Sequence, residues 1–132
     1  MKLLLDTQAF LWFISGDERL SEASRDAIGD SANEVFLSVV SLWEAMVKYQ
    51  LSKLPLPESP ESYLPTQRQR HQIASLPLDE ISVSKLADLP PIHRDPFDRM
   101  IICQALAYDL TVVTADDTVA KYPIQILAAG RE

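Results

Sequence analysis

The stretch Lys2-Leu3-Leu4-Leu5-Asp6-Thr7 decides the fold. A run of leucines this short cannot cross a membrane, yet it suffices for a strand buried on both faces. The run stops on an acid, and from Thr7 to Ser15 the pattern becomes that of a short helix. A buried strand that feeds at once into a helix is the opening of an α/β architecture.

Outward from this point the alternation repeats. Strand-like runs recur at Val35–Val40, Thr111–Thr114 and Ile124–Leu127, with a further one around Ile73–Leu78. Helical spacing predicts helices over Ser21–Ala32, Ser41–Leu54, Ser59–Ile73, Ser82–Leu89 and Asp95–Leu110. The last of these places Ile101, Ile102, Ala105 and Leu106 on one side. The expected fold is a three-layer α/β sandwich, a central parallel sheet of four to five strands flanked by helices. Prolines stiffen the loops Leu54-Pro-Leu-Pro-Glu-Ser-Pro60 and Leu89-Pro-Pro-Ile-His93 without separating two cores, so residues 1–132 are expected to form a single domain.

Composition narrows the function classes. A net charge of −7 argues against general attraction to nucleic acid through a basic face. It leaves room for a nucleic-acid enzyme, because cations held in an acidic pocket reverse the local sign. The densest basic run, Arg68-Gln-Arg70-His71-Gln72, reads as a solvated helix face or a contact to a phosphate backbone. The lone Cys103 sits in an apolar helix and is expected in the core, with neither a disulfide nor a thiolate metal site. The first residues lack the pattern of a secretory leader, so a cytoplasmic protein is expected.

Asp6, Glu44, Asp98 and Asp116 each follow a strand-like run or open an amphipathic helix. In a parallel sheet the carboxyl ends of the strands share one edge, so these distant segments can converge. Each acid also has a purely structural account. Asp6 and Asp116 can cap the helix or turn that follows them. Ser41-Leu-Trp-Glu44 matches a capping box, and Asp95-Pro96-Phe97-Asp98 reads as a cap, a proline at the first helical position and an acid favoured by the helix dipole. Capping, however, is served equally by Ser, Thr or Asn, whereas here an acid recurs at every exit. Crowded carboxylates repel one another, and a hard cation such as Mg2+ or Mn2+ removes that conflict. His71 and His93 are isolated and lack ligand spacing, which disfavours Zn2+; each is expected to be a surface or hydrogen-bonding residue.

With those residues in place, the sequence resembles the PIN domain, specifically the VapC-type ribonuclease toxins of bacterial toxin-antitoxin pairs. The resemblance rests on Leu3-Leu-Leu-Asp-Thr7, Ser38-Val-Val-Ser-Leu-Trp-Glu44, His93-Arg-Asp-Pro-Phe-Asp-Arg99 and Thr111-Val-Val-Thr-Ala-Asp-Asp117. It implies that Asp6, Glu44, Asp98 and Asp116 are the catalytic, metal-binding acids. Asp95 shares a helix face with Asp98 and either joins them or caps the helix. Thr7 and Thr114 supply hydroxyls for a water or a phosphate oxygen, and Asp117 competes with Asp116. Arg99 contacts a phosphate or pairs with Asp95. The implied activity is Mg2+- or Mn2+-dependent hydrolysis of RNA by an activated water, leaving 5′-phosphate and 3′-hydroxyl ends. The implied partners are RNA, a second copy in a homodimer, and an antitoxin whose peptide wraps an apolar groove. The nearly all-apolar helix Gln8–Ile14, with Leu42, Trp43 and Met46, is either core or such a groove.

Three rivals remain at this level. A haloacid-dehalogenase-like phosphatase also has an Asp after its first strand but needs a second acid two residues on, where Gln8 stands. A receiver-like domain needs its phosphoacceptor on a middle strand. A PIN-like domain without activity, serving only in protein interaction, is the third.

Overall fold

The computed structural model describes residues 1–131. Its strands are β1 (Lys2–Leu5), β2 (Glu34–Ser38), β3 (Ala74–Leu76), β4 (Thr111–Thr114) and β5 (Ile126–Ala128). Its helices are α1 (Thr7–Ser15), α2 (Glu22–Gly29), α3 (Val39–Gln50), α4 (Pro60–Arg70), α5 (Glu80–Ser84) and α6 (Pro96–Tyr108). The strands form one sheet in the order β3-β2-β1-β4-β5, and each neighbouring pair is parallel. The α/β sandwich expected from the alternation is therefore present.

β1 lies in the middle because its side chains are apolar on both faces, as a strand covered from both sides requires. Leu3 and Leu5 join Phe10, Leu20, Ile28 and Leu64 in one core layer. Leu4 joins Ile101, Ile102 and Val112 in the other, where Cys103 is also fully buried. The strand order reverses its direction of growth between β1 and β4, so a crevice opens at their carboxyl ends. That crevice carries the candidate site. No helix of the described residues is long and apolar enough to cross a membrane.

Caps set the helix boundaries more firmly than the β-branched residues set the strand ends. Ser38 accepts a hydrogen bond from the Val40 amide at 3.0 Å, and α3 begins at Val39. Val39 and Val40, expected in the strand, thus form the first helical turn. The capping box expected at Ser41–Glu44 does not form, because that segment is already inside the helix. β5 starts two residues later than the apolar run suggests, since the Ile124 amide is held in a turn by the Tyr122 carbonyl at 2.8 Å. The helix expected over Ser82–Leu89 is instead α5, capped by Asp79, followed by a 3-10 turn over Lys85–Asp88.

Within Gln8–Ile14, Ala9 and Phe10 are buried, while Leu11, Trp12, Phe13 and Ile14 keep partial exposure. The helix is core on one side only. Trp43 is 56% exposed on α3, with its ring edge against Phe97 at a centroid distance of 4.8 Å.

Candidate metal centre

A cleft of about 400 Å3 opens at the carboxyl ends of β1 and β4. Asp6, Glu44, Asp95, Asp98 and Asp116 line it together with Thr7, Lys48 and Lys53. Acids from four separate segments of the chain therefore meet in one cavity.

Each reaches it by a different route. Asp6 is the single residue between β1 and α1; its amide donates to the Val113 carbonyl of β4 at 3.1 Å, and its carboxylate accepts from the Ala9 amide at 2.7 Å. It is thus a helix cap that also faces the cleft. Glu44 enters from the interior of α3 and is 4% exposed. Its Oε1 accepts from the Thr7 hydroxyl at 2.6 Å, with the Ser41 hydroxyl 2.9 Å from the same Thr7 oxygen. Its Oε2 accepts from Lys48 Nζ at 2.5 Å. Asp98 sits in the first turn of α6, whose N-cap is Asp95, with hydrogen bonds from the Phe97 and Asp98 amides. Asp116 follows β4, where its amide donates to Thr114 Oγ1 at 3.0 Å.

The electrostatics follow from this crowding. Burial pushes Asp6 up to about 6, against hydrogen bonds from Thr114 and the Ala9 amide, while Glu44 and Asp116 add repulsion. Burial, then repulsion from Asp95 and Glu44, pushes Asp98 up to about 7. At Asp116 burial acts upward but is outweighed by hydrogen bonds from His93 and the Thr118 amide, and its pKa falls below the usual carboxylate value. Without a cation, two carboxyls of the cleft are held partly protonated near neutral pH. A set of oxygen donors whose own charges conflict in this way fits a hard divalent cation.

The remaining expected residues divide. Thr7 and Thr114 have buried hydroxyls turned toward acids of the cleft. Asp117 is exposed and does not line the cleft, whereas Asp116 does. Among the described residues no ion pair joins Arg99 to Asp95; Arg99 Nη1 instead lies 3.3 Å from the carbonyl oxygens of Pro90 and His93. The guanidinium braces the loop before α6. The basic run Arg68–Gln72 ends α4 near the opposite edge of the sheet, with Arg68 bonded to the Ile73 carbonyl at 2.9 Å.

His93 corrects the expectation of an isolated histidine. Its Nε2 lies 2.9 Å from Asp116 Oδ2 and 3.1 Å from Asp98 Oδ2. One ligand atom from each of His93, Asp98 and Asp116 falls within 4.8 Å of the others, a spacing that can hold a metal ion. The signal was its position two residues before Asp95 in His93-Arg-Asp-Pro-Phe-Asp98, which puts it at the mouth of the same helix. Lys48 was legible as the partner of Glu44 one helical turn earlier. Tyr122 was not: its buried hydroxyl accepts from the Ile92 and His93 amides and donates to the Pro90 carbonyl, a junction formed only by the tertiary fold.

Comparison with known proteins agrees with this architecture. The family model described as "PIN domain" matches residues 3–125. A 56-residue segment is 38% identical to Ribonuclease VapC16 of Mycobacterium tuberculosis, covering 42% of this chain and 40% of that relative's length. The crystal structure of VapBC2 from Rickettsia felis bound to a DNA fragment from their promoter superposes with a TM-score of 0.67 at 18% identity, covering 96% of this chain and 98% of that one. The crystal structure of DNA-bound VapBC from Salmonella typhimurium superposes with a TM-score of 0.63 at 23% identity, covering 96% and 97%. At these identities the two structures share the fold.

Proposed function

The chain belongs to the PIN domain family, and we propose that it acts as a single-domain, VapC-type endoribonuclease, the toxin of a toxin-antitoxin pair. The observation that carries this reading is the meeting of Asp6, Glu44, Asp98 and Asp116 in one cleft at the β1/β4 switch. These four would hold Mg2+ or Mn2+, with Asp95 held back by its cap. A divalent cation held by these acids would supply Lewis acidity, lowering the pKa of a water and offsetting charge on the phosphate.

The chain's own residues do the positioning. Thr7 and Lys48 fix the two oxygens of Glu44, and the Thr118 amide and His93 fix those of Asp116. Lys48 and Lys53 bring positive charge to a cleft that must admit an RNA backbone. The Thr7 hydroxyl is committed to Glu44, and a water is the proposed nucleophile, as the family resemblance implies, so that the products would carry 5′-phosphate and 3′-hydroxyl ends.

The half-covered side of α1 suits an antitoxin peptide, and exposed Trp43 with Val39 on α3 suits a second copy of the chain. The test is incubation of the purified protein with total cellular RNA and Mn2+ or Mg2+, with the cut ends mapped by sequencing. Discrete cuts abolished by chelator support the proposal. Turnover of a phosphomonoester with intact RNA would sink it.

A further inference from the structure

We infer that His93 is a positioning residue of the acidic centre, a fixed Nε2–H donor to Asp116, and that it does not ligate the metal. The inference rests on the reading of the cleft as a metal centre and refines its ligand set. By distance alone His93 could serve as a third ligand beside Asp98 and Asp116. Its other ring nitrogen argues otherwise. Nδ1 accepts a hydrogen bond from the Asp95 amide at 3.0 Å. A neutral imidazole carries one N–H, so a ring whose Nδ1 is an acceptor has its proton on Nε2 and offers no lone pair there.

Nε2 donates that proton to Asp116 Oδ2 at 2.9 Å and lies 3.1 Å from Asp98 Oδ2. The Thr118 amide donates to the other oxygen of Asp116 at 2.8 Å, so both of its oxygens are oriented by donors outside the cleft. The ring is itself held. The His93 amide donates to the buried Tyr122 hydroxyl at 2.8 Å, and its carbonyl faces Arg99 Nη1 at 3.3 Å. A donor fixed at three atoms holds the Asp116 carboxylate in place beside Asp98, as outer partners of metal ligands do. The ligand set left to the cation is then all oxygen, which favours Mg2+ or Mn2+ over Zn2+.

Two measurements on the intact chain test this. The first is a long-range proton–nitrogen NMR spectrum of the metal-free protein at about pH 8.5, where an ordinary imidazole is neutral. The expected result is the Nε2–H form of His93; an Nδ1–H form overturns the inference. The second is Mn2+ binding followed by electron paramagnetic resonance, with spin-echo detection of directly coordinated nitrogen. No such nitrogen is expected, and its presence, lost in His93→Gln, overturns the inference. Affinity should fall about tenfold or more in His93→Ala and stay within about threefold of wild type in His93→Gln, which keeps a donor near the Nε2 position. Equal affinity of His93→Ala and wild type contradicts the positioning role. If wild type binds no Mn2+, the metal-centre reading fails, while the metal-free spectrum still decides the tautomer.

Discussion

Lys48 Nζ lies 2.5 Å from Glu44 Oε2, one turn further along α3, and so places an ammonium against an acid that is 4% exposed. The pair neutralises one carboxylate of the cleft without a metal ion. Removing the ammonium leaves a buried charge unpartnered, a costly state. Lys48→Met should therefore lower the melting temperature in chelator. It should also tighten Mn2+ binding, on the order of two- to tenfold, because a competing positive charge is gone. Calorimetry with and without Mn2+ reads both effects, and looser Mn2+ binding would contradict the account.

The raised carboxyls of the cleft set a pH dependence with a definite sign. Asp6 titrates near 6 and Asp98 near 7 in the folded chain, above their ordinary value of 3.8. Groups raised in this way contribute stability that is fully present below the ordinary value and lost as pH rises through the folded values. In chelator the protein should lose on the order of 2–4 kcal/mol from these two groups between about pH 5 and pH 8, allowing for screening at the partly exposed Asp98. Saturating Mn2+ should flatten the dependence, because binding displaces the protons. Urea midpoints across this range check the slope; a chelated protein that gains stability toward pH 8 would refute the assignment.

Thr7 spans α1 and α3 through its bond to Glu44 Oε1. Thr7→Val removes the donor and leaves a buried carboxylate oxygen unsatisfied, at a cost of about 1–3 kcal/mol. Thr7→Ser should recover most of that loss and of the cleavage rate. Equal stability of the valine and serine variants would show that the hydroxyl has no such role.

Tyr122→Phe tests the brace behind the site. The hydroxyl is 2.8 Å from both the His93 amide and the Pro90 carbonyl. Its loss should cost about 1–3 kcal/mol and loosen the loop leading to α6. Amide exchange should quicken at Ile92 and His93 while the strands keep their protection. Unchanged exchange at those two amides would contradict the brace.

What the sequence showed, and what it hid, follows from how local each determinant is. β1, α1 and β4 were legible to the residue, because Leu3–Leu5, the Asp6 cap and Thr111–Thr114 carry their own periodicity and punctuation. The convergence of Asp6, Glu44, Asp98 and Asp116 was legible from topology, since parallel strands share one exit edge. The role of Glu44 in local structure was misread: Ser38 and Ser41 are both competent caps, and α3 starts from the earlier one, which puts Ser41–Glu44 inside the helix. His93 and Tyr122 were hidden because neither lies on a periodic face. Their contacts, to Asp116 and to the loop from Pro90 to His93, cross 23 to 32 residues of sequence.

The most direct measurement compares RNA cleavage by wild type and Asp98→Asn in Mn2+, with thermal melts run in parallel. The account predicts that the variant melts at or above the chelated wild type, since it removes a strained carboxyl, and cleaves no faster than wild type in chelator. Cleavage at the wild-type rate by folded Asp98→Asn would contradict the assignment of the acidic cleft as the catalytic centre.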